Sequence, residues 1–157
     1  MNPIFFKKDM TDMISVLCKN CGFVYADNIP SQAAFNNYYA VMSKYEFNYK
    51  DGIVSNDYID YYTKIVNFLI PHINSNAKIL DIGCSTGGLL SIFKLNGYSD
   101  LSGIDPSPLC VRTAKKLYNI EVNVSNISNF NTNKKFDLII LSAVLEHLVD
   151  FSNSMQK

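Results

Sequence analysis

The stretch that decides the fold runs from residue 77 to residue 88: Ala77-Lys-Ile-Leu-Asp81-Ile-Gly83-Cys-Ser-Thr-Gly-Gly88. Residues 77–82 form a short, mostly apolar run, which predicts a buried β-strand. Three glycines in the next six residues predict a tight turn whose backbone can approach a ligand closely. Residues 89–95 then show a helical apolar pattern, and Gly97 is suited to end that helix. The order is therefore strand, glycine-rich turn and helix.

The same alternation continues downstream. Short apolar runs predict three more strands, at residues 101–104, 120–124 and 136–141. Ser107 and Pro108 are suited to cap and begin a helix between the second and third strands, and another helix is expected near Val144. This spacing predicts an α/β fold, a Rossmann-like parallel sheet with flanking helices.

The predicted strand at residues 136–141 is apolar almost throughout. That composition is typical of an interior strand of a parallel sheet rather than of an edge strand. We therefore expect its second side to be covered by further strands beyond this chain or by another subunit, and the chain alone to self-associate.

An acidic residue follows the second predicted strand. Asp105 lies 22 residues after Gly83, and the carboxyl ends of neighbouring parallel strands meet at one edge of the sheet. A carboxylate at this position can accept hydrogen bonds from both ribose hydroxyls of a nucleoside. The alternative is that Asp105 only caps the Pro106-Ser107 turn and that Asp81 only caps the glycine-rich turn.

Three segments in this order resemble motifs of class I S-adenosylmethionine-dependent methyltransferases. The Asp81-x-Gly83-Cys-x-x-Gly segment is similar to the family's motif I, and Gly103-x-Asp105-x-Ser to its second-strand motif. Residues 136–147, which end in Leu-Glu-His, are similar to its fourth-strand segment. The resemblance covers roughly residues 55–150 and implies the first half of a seven-stranded sheet. It departs from the family at Ser85, where many members have a glycine.

The resemblance also implies which residues hold the cofactor, S-adenosylmethionine. Asp81 would hold the methionine amino group and Asp105 the ribose. Gly83, Cys84, Ser85 and Gly87 would line the methionine and ribose part, Asn126 and Ile127 would flank the adenine, and Ser142 and Ala143 would lie near the sulfonium. Ordinary loop packing explains Asn126 and Ile127 equally well, and Cys84 is interpreted as a small turn residue rather than a nucleophile.

Candidates for the methyl-acceptor side follow the fourth strand. His147 and Glu146 are candidates for a base or an acceptor-positioning group, and a structural hydrogen bond explains His147 as well. Tyr38, Tyr39 and Tyr45 belong to a predicted helix that begins near Ser31. They could line the site or simply pack that helix.

The amino-terminal region, residues 1–50, is expected to be a separate extension. Residues 14–17 and 23–25 predict a hairpin whose turn carries the pair Cys18-x-x-Cys21. This pair resembles half of the four-cysteine zinc lobe that precedes the fold in sugar C-methyltransferases. Zinc needs about four ligands, so Cys18 and Cys21 supply half a site, and we expect no intact metal site.

Composition excludes several classes of function. Lys+Arg and Asp+Glu number 14 each, so no general positive charge attracts nucleic acid or anionic lipid. The chain shows neither a signal peptide nor an apolar run long enough to span a membrane. We therefore expect a cytoplasmic protein.

The sequence as a whole predicts a methyltransferase domain at residues 51–157, incomplete at its carboxyl terminus, that acts on a small molecule such as a sugar or a polysaccharide or natural-product precursor. Two alternatives stay open. One is an NAD(P)-binding oxidoreductase, which the absence of Gly-x-Gly-x-x-Gly disfavours. The other is a truncated, non-catalytic cofactor-binding partner of another protein.

Overall fold

The computed structural model describes residues 14–41, 49–50, 53–54 and 56–156. Its carboxyl-terminal part is an α/β unit whose four strands are β5 (Ile79–Ile82), β6 (Leu101–Asp105), β7 (Val122–Val124) and β8 (Leu138–Ile140). The helices of the same unit are α2 (Asn56–Leu69), α3 (Gly88–Leu95), α4 (Pro108–Tyr118) and the short α5 (Phe151–Met155). This architecture confirms the predicted Rossmann-like fold.

The four strands form one parallel sheet in the order β7-β6-β5-β8. The chain first moves from β5 outward through β6 to β7, and then crosses back to place β8 on the other side of β5. Asp81 lies in register with Gly103 on one side and Ile140 on the other. The reversal of strand order leaves a crevice at the carboxyl end of β5, which is where open α/β sheets hold their ligands.

Strand β5 is buried along its whole length because the sheet is covered on both faces. On one face, Ile79 packs with Val66 of α2 and Phe93 of α3. On the other face, Leu80 and Ile82 pack with Ile104 against partly buried residues of the loops that follow β7 and β8. Alternate residues of β5 thus enter two different apolar clusters, as a strand's twofold repeat requires.

Strands β5, β7 and β8 are shorter than the sequence predicted, and the cause for β8 is visible at its start. The N–H groups of Asp137 and Leu138 both donate to the Lys78 carbonyl oxygen, and the Asp137 carboxylate accepts from the Lys78 N–H at 2.8 Å. These bonds fix the entry of β8 next to β5, so regular pairing begins only at residue 138.

The helix expected near Val144 is not an α-helix at that point. The chain instead forms a 3₁₀ turn, Leu145–His147, and α5 begins only after Asp150, whose side chain accepts a hydrogen bond from the Asn153 N–H. Ala143 has a φ of +55°, so the backbone turns sharply at the point where the helix was expected to begin.

Within the residues that the structure describes, β8 pairs with β5 and has no strand on its other side. Ile139 is accordingly 52% exposed. The expectation that further strands or another subunit cover this edge stays a prediction.

The amino-terminal part contains the predicted hairpin and helix. Strands β1 (Ile14–Leu17) and β2 (Val24–Asp27) pair antiparallel, and a second, two-residue pair joins β3 (Tyr49–Lys50) to β4 (Ile53–Val54). Helix α1 (Gln32–Val41) lies between the two hairpins in the chain, and the Ser31 hydroxyl caps it by accepting from the Ala34 N–H. None of the described helices is long and apolar enough to cross a membrane.

Candidate functional site

A cleft opens at the carboxyl ends of β5, β6 and β8. It encloses about 220 Å³, whereas a single buried water needs roughly 10–15 Å³, so an organic molecule fits. The predicted site residues that line it are Tyr39, Asp81, Gly83, Cys84, Ser85, Asp105, Asn126, Ile127, Ser142, Ala143 and His147. The fold therefore brings together residues from five separate segments of the chain.

The glycine-rich turn begins with a residue that has no room for a side chain. Gly83 has a φ of +73°, and a Cβ there would lie 2.5 Å from Cγ2 of Val144. Its N–H and that of Cys84 both donate to the Ile104 carbonyl oxygen, at 2.8 and 3.0 Å. The turn is thereby tied to β6, and its backbone lines the cleft directly.

Ser85 occupies the position where the resemblance to motif I implies a glycine, and its backbone conformation is one that glycine adopts most easily. Its φ is +51°, in the left-handed region that costs a residue with a Cβ about 1 kcal/mol or more. The Ser85 N–H donates to Oδ2 of Asp105 at 2.8 Å, which holds the strained conformation in place. The serine therefore keeps the shape of the glycine turn.

Asp105 is fixed by two backbone groups. Its Oδ2 accepts from Ser85, and its Oδ1 accepts from the Ser107 N–H at 2.8 Å. The capping alternative thus describes real contacts, since Asp105 does stabilise the turn that follows β6. A carboxylate has about four acceptor positions, however, and this buried one also lines the cleft, so capping and ligand binding are compatible.

Asp81, at the end of β5, is the second buried carboxylate of the cleft. Burial, together with the negative charge of Asp105, raises the pKa of Asp81 to about 8. No Lys, Arg or His among the described residues forms an ion pair with it. Two neighbouring buried carboxylates make this part of the cleft favourable for a cation and unfavourable for an anion. Below, the sheet wall denotes Asp81, Gly83, Ser85 and Asp105.

Burial likewise raises the pKa of the Cys84 thiol well above its ordinary value. A Cβ added to Gly103 would lie only 2.7 Å from the Cys84 Sγ. The Cys84 side chain therefore already fills the space beside Gly103 of β6. A buried thiol that resists ionisation is a poor nucleophile. This agrees with the interpretation of Cys84 as a turn residue.

The opposite side of the cleft is formed by α1 and the segment after β8. The His147 ring lies 5.3 Å from the Tyr39 ring and 6.3 Å from the Phe35 ring. Gln32, at the start of α1, donates to the His147 carbonyl oxygen at 3.4 Å and accepts from the Val149 N–H at 2.9 Å. Below, the helix wall denotes Gln32, Phe35, Tyr39 and His147, all of which line the cleft.

Two groups of lining residues were not predicted. Gln32, Phe35 and Asn36 recur at helical spacing with Tyr39, and this spacing was a usable signal. The other group is Tyr58, Tyr61 and Tyr62 of α2.

Tyr62 joins α2 to the glycine-rich turn. A Cβ on Gly88 would lie 2.6 Å from Cε2 of Tyr62, so the ring rests directly on the turn backbone. Burial, reinforced by the charge of Asp81, raises the pKa of Tyr62 to about 12. The phenol therefore stays neutral beside the carboxylate.

Four predicted residues are not placed in the cleft. Gly87 is the residue before α3, with a φ of +80°, and a Cβ there would meet Cβ of Ala114 at 3.0 Å, so it serves helix packing. Glu146 is exposed, because the 3₁₀ turn directs His147 rather than Glu146 inward. Tyr38 packs edge-on against Tyr39, behind the lining. Tyr45 lies outside the described residues.

The loops after β7 and β8 supply the other predicted residues. Asn126 shapes its own loop, since its side chain and its carbonyl oxygen both accept from the Asn129 N–H. Ile127 lines the cleft and also packs against the cluster around Leu80. Both residues therefore make contacts within their loop, and their role toward an adenine stays a prediction.

The Cys18 and Cys21 pair lies in the turn between β1 and β2. The Cys18 N–H donates to the Phe23 carbonyl oxygen and the Gly22 N–H to that of Cys18. Backbone N–H groups of Asn20 and Cys21 hold the pKa of the Cys18 thiol below its ordinary value. Among the described residues, no group of three or more metal-ligating side chains is placed to hold an ion.

Comparison with known proteins gives one family. The family described as "Methyltransferase domain" matches residues 55–157. A carboxy-S-adenosyl-L-methionine synthase from Campylobacter fetus subsp. fetus is 35% identical over 97 residues, which are 58% of this chain and 41% of that protein. The chain spans between 29% and 41% of the length of the four curated relatives that it matches.

Two solved structures share the fold. Magnesium protoporphyrin IX methyltransferase from Synechocystis PCC 6803, with bound SAM, has a TM-score of 0.59 at 18% identity, over 76% of this chain and 65% of that chain. The plantazolicin methyltransferase BpumL, in complex with a pentazolic desmethylPZN analog and SAH, has a TM-score of 0.57 at 22% identity, over 80% of this chain and 51% of that chain. The family match covers most of the cleft and the whole sheet, and it agrees with the resemblance found in the sequence. The chain belongs to the methyltransferase-domain family.

Proposed function

We propose that this chain carries the cofactor site of an S-adenosylmethionine-dependent methyltransferase acting on a small molecule, with a sugar or a polysaccharide or natural-product precursor as the candidate acceptor. The observation that carries the proposal is the pair of buried carboxylates, Asp81 and Asp105, on either side of the turn at Gly83. The pair lies at the switch point of the sheet, in a chain whose residues 55–157 match methyltransferase domains.

The charges of the sheet wall suit this cofactor. S-adenosylmethionine carries an ammonium, a sulfonium and one carboxylate, so its net charge is positive, and the described lining residues include two carboxylates but no Lys or Arg. Because opposite charges attract most strongly away from bulk water, Asp81 is suited to hold the ammonium. Asp105, held in place by two backbone N–H groups, is suited to accept from the ribose hydroxyls.

The cofactor, when bound, supplies an electrophilic methyl group on sulfur. The chain's own residues then have to align the acceptor and exclude water. The rings of Phe35, Tyr39 and Tyr62 are suited to exclude water from the cleft. His147 lies on the opposite side from the sheet wall and is suited to take a proton from an acceptor hydroxyl or amine. Asn126 and Ile127 would flank the adenine, and Ser142 and Ala143 would lie near the sulfonium.

The remaining parts of the proposal rest on the sequence. We assign residues 51–157 to the cofactor-binding domain and residues 1–50 to an extension. That Cys18 and Cys21 form no intact zinc site stays a prediction. A cytoplasmic location is likewise a prediction from the sequence.

A binding titration followed by a turnover assay tests the function. Calorimetry on the purified chain should show S-adenosylhomocysteine binding and no comparable binding of NAD⁺. Transfer of a radioactive methyl group from S-adenosylmethionine to a panel of sugars and aromatic alcohols then tests catalysis. Preferential binding of NAD⁺ would contradict the proposal. Cofactor binding without transfer to any acceptor would favour the non-catalytic alternative.

A further inference from the structure

The helix wall is assembled by one side chain that joins distant parts of the chain. Gln32 lies 115 residues before His147 and 117 before Val149, yet its amide contacts the backbone at both residues. The same amide nitrogen also donates to Oδ1 of Asn36 at 3.1 Å, within α1. Gln32 therefore fixes the start of α1 relative to the segment that carries His147.

The rings of the helix wall depend on this connection. Phe35 and Tyr39 follow Gln32 by one and two turns of α1, so they lie on the same side of the helix. Their rings contact the ring of His147 with centroid distances of 6.3 and 5.3 Å. A displacement of the start of α1 would separate these rings and widen the cleft on the acceptor side.

The side chains that line the cleft disfavour binding of a negatively charged acceptor group. Its described lining residues offer two buried carboxylates, five aromatic rings besides His147, and no Lys or Arg. The five rings are Phe35, Tyr39, Tyr58, Tyr61 and Tyr62. Aromatic faces carry partial negative charge, so they favour neutral ring faces or cations over phosphate and carboxylate groups.

We propose that the acceptor end of the cleft takes an uncharged ring of a small molecule, and that Gln32 is a positioning residue that holds the helix wall against it. The proposal rests on the proposed function and adds the class of acceptor. It excludes acceptors that place a phosphate or carboxylate against the aromatic rings of the helix wall. A planar aromatic ring and the apolar face of a sugar ring share the required chemistry.

The test measures binding of two matched pairs of probes to the chain saturated with S-adenosylhomocysteine. The sugar pair is methyl β-glucoside and glucose 6-phosphate, and the aromatic pair is p-cresol and p-tolyl phosphate. Ligand-observed NMR should show the neutral member of at least one pair binding about tenfold more tightly than its phosphate, equivalent to about 1.4 kcal/mol. Which pair responds distinguishes a sugar from a planar acceptor.

Variants of Gln32 test its role with the same probes. Gln32→Leu should weaken binding of the preferred neutral probe at least about fivefold and leave S-adenosylhomocysteine affinity nearly unchanged, since the sheet wall is not touched. Gln32→Glu keeps an acceptor for the Val149 N–H but loses the donor to the His147 carbonyl oxygen. Its affinity for the preferred neutral probe should therefore lie between those of Gln32→Leu and the wild type. Asn37→Leu, on the exposed side of α1, is the matched control and should change neither affinity.

Several outcomes would overturn the inference. They are equal or tighter binding of the phosphates, no binding by either neutral probe, and unchanged probe binding in Gln32→Leu. An equal loss of probe and cofactor affinity in Gln32→Leu would also do so, because it would show a general structural role. Failure of S-adenosylhomocysteine to bind the wild-type chain would instead contradict the proposed function.

Discussion

The sheet wall and the helix wall enclose the same cleft but are held by different kinds of contact. In the sheet wall, the buried Asp105 carboxylate accepts from two backbone N–H groups, and the Gly83 turn is tied to β6 by two more backbone bonds. In the helix wall, half-buried side chains are held by the Gln32 amide and by ring contacts with His147.

Because of this difference, we expect the two walls to have different roles. Backbone bonds inside a buried sheet are broken only when the domain unfolds, whereas a few half-exposed side-chain contacts open at lower cost. On the proposed function, the sheet wall would be preorganised for the cofactor, and the helix wall would adjust to an acceptor. Variants of the sheet wall should therefore change cofactor affinity or stability, and variants of the helix wall should change transfer.

The largest effect is expected at the helix wall. His147→Ala should lower methyl transfer about 10²-fold or more if the ring takes the acceptor proton, while S-adenosylhomocysteine affinity stays nearly unchanged. Turnover with a neutral ring acceptor and calorimetry measure the two quantities. Glu146→Ala, an exposed neighbour outside the cleft, is the control. Equal turnover in wild type and His147→Ala would leave His147 with a structural role alone.

The next effect concerns the stability of the sheet wall. Gly83→Ala should lower the free energy of unfolding by about 2–4 kcal/mol, because a residue with left-handed backbone gains a Cβ that lies 2.5 Å from Val144. Gly97→Ala has a similar φ of +90° but nothing within 4 Å of the added Cβ, so it should cost only about 1 kcal/mol. Urea denaturation of both variants measures the difference. Similar losses would show that the contact with Val144 relaxes freely.

Asp105→Ala should weaken S-adenosylhomocysteine binding about 10- to 150-fold, since a charge-assisted hydrogen bond to the ribose contributes about 1.5–3 kcal/mol. The variant also loses the hydrogen bonds from the Ser85 and Ser107 N–H groups, which should lower the affinity further. Asp60→Ala, on the exposed side of α2, is the control for removing one carboxylate. An affinity equal to that of the wild type in calorimetry would show that Asp105 does not contribute to cofactor binding.

Asp81 should make both stability and binding depend on pH. Its pKa is raised from 3.8 to about 8 by folding, so the unliganded chain should lose stability as the pH rises through this interval, and Asp81→Asn should not show this loss. Binding of an ammonium favours the ionised carboxylate, so affinity should rise by at most about tenfold per pH unit below about 8, with release of a proton.

Calorimetry in buffers of different ionisation enthalpy counts the released proton. In Asp81→Asn, binding should be weaker and should lose the proton release that Asp81 causes. Identical proton release in the variant would assign the titration to another group.

The smallest effect is expected at Ser85. Ser85→Gly introduces the glycine that the resemblance to motif I implies and relieves a φ of +51°, so it should stabilise the chain by up to about 1 kcal/mol. Asn119→Gly, at a φ of +50°, should gain less, because asparagine tolerates this region better. Thermal denaturation of the two variants makes the comparison. Destabilisation by Ser85→Gly would show that the serine side chain contributes a contact of its own.

The sequence by itself determined the sheet and the sheet wall. The apolar run before Gly83, the glycines after it and the spacing to Asp105 specify local structure over short stretches, and parallel strands bring their carboxyl ends together wherever the helices lie. The sheet, the glycine-rich turn and the position of Asp105 could therefore be predicted. The same local patterns did not indicate that Glu146 and Gly87 lie outside the lining of the cleft, because which side of a short turn faces a cleft depends on what packs behind it.

Only the tertiary structure decided the helix wall. Gln32 and His147 meet across more than a hundred residues, and nothing in the pattern around either residue specifies the other. The raised pKa of Asp81 arises in the same way, from burial and from the charge of a residue on the next strand. Burial, charge proximity and side-chain contacts between distant segments are properties of the packed chain, so they exist only once the sheet has brought those segments together.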